Sequence, residues 1–260
     1  MKIAVFVNKN KSADDIDKLI IKEALAYGFV IDDENPDVVF FVGGDGTFLR
    51  AVHHYLPILD KVKFIGVGNG NLGFFYDFHA EDISFALTAL KNEELIVSSY
   101  HLLEGKLYHE NGFDSIYAVN EIRLENPFHT LECQVEIDMK PLETYRGNGL
   151  VVSSALGSSA YNKSLGGSVI QHDLDVIELT EIATIQNNFN RSLGSSLIID
   201  GKATINLTGE LANSLVGYDN NVISDGYLLR LEISQSDRVV NVLHSQDYCF
   251  IKSLNRSFVK

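Results

Sequence analysis

The chain is expected to pair an α/β N-terminal domain, built on a parallel sheet, with an all-β C-terminal domain made as a β-sandwich. Three observations predict this. Short, wholly apolar runs alternate with helical spacing through roughly the first 95 residues, and two of those runs lead straight into glycine-rich turns. After that, strands of alternating polarity dominate, separated by Asn, Gly and Asp. The expected division is residues 1–98, joined by the tail 246–260, and residues 99–245.

Taken in order, residues 3–7 (Ile-Ala-Val-Phe-Val) form a continuous apolar run, the pattern of a strand buried on both faces. Ser12-Ala13-Asp14-Asp15 has the form of a capping box. It opens a helix with Ile16, Leu19, Ile20, Ala24 and Tyr27 on one face, closed by Gly28. Residues 38–42 are a second strand, and together these make a β-α-β unit of Rossmann-like character. Gly43-Gly44-Asp45-Gly46-Thr47 follows, then helical spacing through Phe48, Leu49, Val52, Tyr55 and Leu56. A third run, 64–67, precedes Gly68-Asn69-Gly70-Asn71-Leu72-Gly73, and residues 80–91 read as a helix. Two glycine loops at the carboxyl ends of neighbouring parallel strands lie where open α/β sheets place ligands.

In the second half, strands are expected at 102–109, 115–124, 131–138, 150–154, 203–207, 227–233 and 239–243. A helix is expected at 158–165, and 175–185 reads as helical or extended. The tail carries Phe250, Ile251, Leu254 and Phe258, apolar enough to pack back on the first domain.

Composition bounds the function. With 260 residues, 45% hydrophobic and 22% charged, the chain has ample core for a soluble globular protein. A formal charge of −14 argues against binding nucleic acid or anionic membrane. Met1-Lys2 leads directly into a strand, with no signal-peptide pattern, and no apolar run nears the roughly 20 residues that span a bilayer. Cys133 and Cys249 lie far apart in the chain, which suggests a reducing, cytoplasmic setting without disulfides or a zinc site. The paired His53-His54 do not share a helix face, and His101, His109, His129, His172 and His244 have no partner nearby in sequence.

The Gly-Gly-Asp-Gly turn is the chemical centre of the first half. Glycines let backbone approach a ligand closely, and a helix N-terminus just beyond favours phosphate. A carboxylate there repels phosphate unless a metal or a reacting hydroxyl lies between. Asp45 therefore reads either as the base or metal contact of a phosphoryl-transfer site, or as the N-cap of a strand-to-helix turn. These residues alone leave both open.

Val42-Gly43-Gly44-Asp45-Gly46-Thr47-Phe48-Leu49 resembles the phosphate-donor motif of the NAD kinase family. Gly66-Val67-Gly68-Asn69-Gly70-Asn71-Leu72-Gly73-Phe74 is similar to its second glycine loop, and Asn120-Glu121 to its Asn-Glu pair. Residues 147–154 with Gly157-Ser158-Ser159-Ala160-Tyr161 resemble its glycine- and serine-rich motif. Leu179-Thr180-Glu181-Ile182-Ala183 and Arg191-Ser192-Leu193-Gly194-Ser195 extend the match in family order over nearly the whole chain.

The resemblance implies phosphorylation of the adenosine-ribose 2′-hydroxyl of NAD to give NADP. The donor would be ATP or polyphosphate, with a divalent cation, usually Mg²⁺, bridging the donor phosphates, with Asp45 as a candidate contact and without a dedicated protein cage. It implies a homodimer or homotetramer. Asp45 would be the base, with Gly43, Gly44, Gly46, Thr47 and Arg50 on the donor side. Phe74, Asn120, Glu121, Arg146, Asn148, Ser158, Ser159, Ala160, Tyr161, Ser164, Ala183 and Asp219 would contact the dinucleotide. Three departures stand out. Asn148 replaces a usual Asp, which removes a charge and adds a donor. Asn69-Gly70 replaces Thr-Gly, and Tyr218-Asp219-Asn220-Asn221 replaces Asp-Gly or Asp-His. Two other readings compete: a lipid or sphingoid kinase sharing the Gly-Gly-Asp-Gly loop, which the acidic charge fits poorly, and a non-catalytic dinucleotide sensor.

Overall fold

A computed structural model describes residues 1–7, 15–68 and 73–259. Most of the expected capping box and residues 69–72 of the second glycine loop lie outside the described residues. The chain divides into two compact units, Met1–Tyr100 with Arg238–Lys260, and His101–Asp237.

The first unit contains β1 (Lys2–Val7), α1 (Ile16–Ala26), β2 (Val30–Ile31), β3 (Val38–Val42), α2 (Asp45–His54), β4 (Lys63–Val67), α3 (Ile83–Lys91) and the start of β5 (Ile96–His109). Its strands run parallel in the order β2-β1-β3-β4. Every residue of β3 is buried, because both faces of this sheet are covered. Val38, Phe40 and Val42 point to one side and join a core with Ile16, Ile20 and Ala24 of α1 and Ile83 and Leu87 of α3. Phe41 points to the other side, where its ring lies 5.1 Å from that of Phe48 in α2. An unbroken apolar strand is what a sheet sandwiched between helices requires.

The second unit continues with β6 (Gly112–Ala118), β7 (Glu121–Glu125), β8 (Leu131–Ile137), β9 (Lys140–Gly147), β10 (Gly149–Ser154), α4 (Tyr161–Ser164), β11 (Val176–Ile182), β12 (Leu197–Asp200), β13 (Ile205–Gly209), β14 (Leu215–Tyr218), β15 (Asn221–Ser224) and β16 (Arg230–His244). One antiparallel sheet runs β12-β11-β10-β7-β14-β15, and the other runs β9-β8-β13-β16-β5-β6. Leu103, Ile122, Leu150, Ile205 and Leu231 come from both sheets and share one core, so the unit is a two-sheet sandwich.

Strand β16 serves each unit in turn. Its first part pairs with β13, Ile233 opposite Ile205, and its last part runs parallel to β4, Asn241 opposite Lys63. Helix α5 (Phe250–Phe258) then ends the described chain within the first unit.

Several expectations change. The strand expected at 115–124 breaks at Val119-Asn120, where the chain leaves one sheet for the other. The strands expected at 227–233 and 239–243 are one, because the polar stretch between them stays extended without a turn. Residues 175–185 are extended through β11. The helix expected at 158–165 is a 3-10 turn, Gly157–Ser159, followed by the four-residue α4. Strands β9, β12, β14 and β15 went unanticipated. They are short or interrupted by Pro and Gly, so pairing to neighbours, not periodicity, defines them.

Candidate active site

Each unit carries its own group of the residues singled out above. In the first, the turn after β3 is wound by Gly43, whose φ of 140° is a left-handed conformation. A Cβ there would sit 2.6 Å from Thr47 Oγ1, so the turn demands glycine. Gly44 is extended, and Asp45 is the first residue of α2. The Thr47 amide donates to Gly44 O at 2.8 Å, which closes the first turn. Amides ahead of it have no acceptor within the helix, so the turn presents the positive end of the α2 dipole.

The Asp45 carboxylate does not cap α2. Its Oδ1 accepts the backbone N–H of Phe74 at 2.8 Å and of Phe75 at 3.3 Å, both from the segment following the second glycine loop. Burial pushes its pKa up; the two amides and the Arg256 guanidinium only partly offset this. Thr47 is buried, and its hydroxyl accepts from Arg50 Nη2 at 3.4 Å, while Arg50 is otherwise exposed. Phe74 is itself buried, with its ring 6.3 Å from Phe250 and 5.6 Å from Phe258 of α5. What Phe74 offers Asp45 is backbone.

In the second unit, Asn120 and Glu121 are both buried where the chain enters β7. Asp219 holds the entry. Its carboxylate accepts the Val119 amide at 2.9 Å and the Asn120 amide at 2.7 Å, from a backbone with φ of 46°. Its own amide donates to Glu121 O at 3.1 Å. Burial first, and then the Asp219 charge, raise the Glu121 pKa to about 8, against the pull of Arg123. Arg123 Nη1 donates to Glu121 Oε1 at 3.2 Å and Nε to Glu125 Oε2 at 2.9 Å. Its guanidinium also lies 5.6 Å from the Tyr161 ring centroid, and Tyr161 donates its hydroxyl to Glu125 at 3.3 Å. Asn120 Oδ1 and Glu121 Oε2 are buried without hydrogen-bond partners. Buried polar atoms without partners are costly unless a ligand meets them.

Ser158 and Ser159 shape the neighbouring turn. Ser158 is buried, donates to Ala155 O at 2.6 Å and accepts the Ile170 amide at 2.9 Å. Ser159 donates to Leu156 O at 3.3 Å, and the Ala160 amide donates to Gly157 O at 2.9 Å. A Cβ on Gly157 would lie 2.0 Å from Asn120 O, so this turn presses directly on the Asn-Glu pair. Ser164 is exposed on α4.

A third group surrounds the β9–β10 corner. Asn148 Nδ2 donates to Asn126 O at 3.1 Å, and Arg146 pairs with Glu132 at 2.7 Å. Ala183 has φ of 47°, and Tyr145 donates its hydroxyl to the adjoining Ile182 O at 2.6 Å while accepting the Gly149 amide at 2.9 Å. In this structure Asn148 and Arg146 are committed to protein partners.

Sequence reasoning passed over several residues. Arg123 had a visible signal, since it lies two residues from both Glu121 and Glu125 and so on their strand face. Asn162, which donates to the fully buried Glu178 at 2.7 Å, and Arg256 had none. Two histidines without sequence neighbours find distant partners: His244 meets Asp77 at 2.7 Å and His109 meets Asp225 at 2.5 Å, 167 and 116 residues away in sequence.

Comparison with known proteins follows the same two-part division. The family model described as the ATP-NAD kinase N-terminal domain matches residues 7–95, and that of the ATP-NAD kinase C-terminal domain matches residues 120–246. An NAD kinase of Leuconostoc citreum is 32% identical over 260 residues, covering 100% of this chain and 98% of its own. One from Streptococcus pneumoniae is 39% identical over 206 residues, covering 78% of this chain and 76% of its own. Among solved structures, yeast NADH kinase complexed with NADH superposes with a TM-score of 0.86 at 17% identity, covering 98% of this chain and 86% of that one. An NAD kinase from Archaeoglobus fulgidus in complex with ATP gives 0.78 at 20% identity, covering 98% of both chains.

Proposed function

The chain belongs to the NAD kinase family, and on that premise we propose that it transfers a phosphoryl group from ATP to the adenosine-ribose 2′-hydroxyl of NAD, with Asp45 taking the hydroxyl proton. One observation carries this reading. A carboxylate stands at a helix N-terminus, tethered through one oxygen by two backbone amides, while burial raises its pKa. A hydroxyl attacks phosphorus poorly until its proton has a place to go, and a fixed carboxylate of raised basicity supplies one.

The donor phosphates would lie against the Gly43, Gly44 and Gly46 turn and the Thr47 hydroxyl, with Arg50 adding charge at the exposed side. The α2 dipole assists. The nucleoside would be read by Asn120 and Glu121, whose unpartnered oxygens suit donors such as ribose hydroxyls or an adenine amino group. Tyr161 would supply an aromatic wall, and Asp219 would hold the pair in place. Ser158, Ser159 and Ala160 shape the turn beneath. Ser164, Arg146, Asn148 and Ala183 are proposed as further dinucleotide contacts on the resemblance alone.

A divalent cation is part of the proposal. Among the described residues no three His, Cys, Asp or Glu side chains form a metal cage. Magnesium commonly keeps its waters and takes one carboxylate plus substrate phosphates, so Asp45 and the donor would suffice. Such an ion neutralises phosphate charge. Two free cysteines support a reducing, cytoplasmic setting, and the family resemblance supports a homo-oligomer. No described helix is long and apolar enough to cross a membrane.

The test is direct. Purified protein is given NAD, Mg²⁺ and either ATP or polyphosphate, and NADP is read with a coupled dehydrogenase. NADP formation with ATP, abolished by Asp45→Asn in a protein that melts like wild type, is expected. Full activity in Asp45→Asn would remove Asp45 as the base, and turnover only with polyphosphate would change the donor.

A further inference from the structure

Asp45 depends on a short stretch of chain, residues 73–77, whose amides hold its carboxylate. Something must hold that stretch, because it follows directly on a glycine-rich loop. The structure shows what does. Arg256, in the last turn of α5, donates Nη2 to Gly73 O at 2.7 Å and to Tyr76 O at 3.0 Å. Its guanidinium also lies 4.7 Å from the Tyr76 ring centroid. A second tie comes just downstream, where the Asp77 carboxylate meets His244 Nδ1 at 2.7 Å and accepts the Ser245 amide at 3.3 Å.

An arginine in a final helical turn has an ordinary explanation, as a cation complementing the helix dipole. Here the side chain leaves its own helix and binds two carbonyls that bracket Phe74 and Phe75. Those are the residues whose amides serve Asp45. The carbonyls on one side and the amides on the other are thus gripped between Arg256 and Asp45.

We propose that Arg256 is a positioning residue for phosphoryl transfer, acting through residues 73–76 to fix the Asp45 carboxylate. This rests on the reading of Asp45 as the base. One consequence follows. Losing the bracket lets the Phe74 and Phe75 amides drift, and small displacements of a reacting group lower rate far more than affinity.

The experiment measures kcat and KM for NAD in wild type, Arg256→Met, Arg256→Lys, Asp45→Asn and the double variant Asp45→Asn/Arg256→Met. Arg256→Met is expected to lower kcat about tenfold and to leave KM within about twofold. Arg256→Lys should recover part of the rate. In the Asp45→Asn background, Arg256→Met should change the residual rate by less than about twofold, because the group it positions is already gone. The proposal is overturned by an unchanged kcat in folded Arg256→Met, or by a loss in the Asp45→Asn background as large as in wild type. If Arg256→Met does not melt as a folded protein, Arg256→Lys decides: a wild-type kcat overturns the proposal, and a reduced kcat at unchanged KM supports it. A fully active Asp45→Asn enzyme would instead sink the base assignment, whatever the arginine variants do.

Discussion

The two units hold their key carboxylates in opposite ways. Asp45 is fixed by neutral backbone: two amides on one oxygen, with Arg256 gripping the far side of the same segment. Glu121 is fixed by charge: an arginine on one oxygen, Asp219 and Glu125 nearby, and the other oxygen without a partner. A backbone tether sets position and leaves the carboxylate able to take a proton. Burial, with the Asp219 charge beside it, raises the Glu121 pKa, and its second oxygen is left without a partner. The contrast matches the roles proposed for the two groups, chemistry for Asp45 and recognition for Glu121.

That contrast can be broken at four places. The largest effect belongs to Asp45→Asn, which keeps the hydrogen-bonding shape but not the basicity; kcat should fall by about 10²–10⁴-fold, with KM for NAD little changed. Next is Gly157→Ala, whose new methyl would meet Asn120 O at 2.0 Å. The recognition turn would have to move, and urea denaturation should show a loss of about 3 kcal/mol.

Glu121→Gln comes third. The Glu121 pKa is raised in the folded chain, from 4.5 to about 8, so the unfolded chain releases this proton first as pH rises. Wild-type stability should therefore fall with rising pH across that window and level off above it. Glu121→Gln should flatten this slope by roughly 1–3 kcal/mol in melts between pH 5 and 8. A slope unchanged by the substitution would mean that burial and the Asp219 charge do not hold a proton on Glu121 in the folded chain. Smallest is Asn148→Asp, which sets a carboxylate against the Asn126 carbonyl that Nδ2 now serves. A loss of about 1 kcal/mol is expected, and a gain would show that the corner welcomes negative charge.

Much of this arrangement was legible beforehand, unevenly. The β3 strand, the glycine turn and α2 were readable because one unbroken apolar run and one special turn lie within a dozen or so residues of each other. Buried Asn120 and Glu121 were found through the resemblance, since a polar pair on a strand otherwise suggests an edge. What stayed hidden depends on long-range pairing. The tether from Asp45 runs to backbone amides 29 and 30 residues on, and amides carry no sequence signature. Arg256 reaches carbonyls 183 and 180 residues earlier, and carbonyls are equally anonymous. Strands β14 and β15 escaped for a related reason: four residues each, they are defined by partners and not by their own period.

Strand β16 and helix α5 carry a consequence for biosynthesis. The first unit is begun by residues 1–100 and completed only by residues 238–260, because β4 waits for Asn241 and Val242 to pair and residues 73–76 wait for Arg256. A nascent chain paused before residue 238 holds Asp45 and its glycine turn yet lacks the neighbours that close around them. Loss of residues 238–260 should therefore injure the first unit before the second, and a stop before residue 238 would release a fragment whose residues 73–76 lack Arg256.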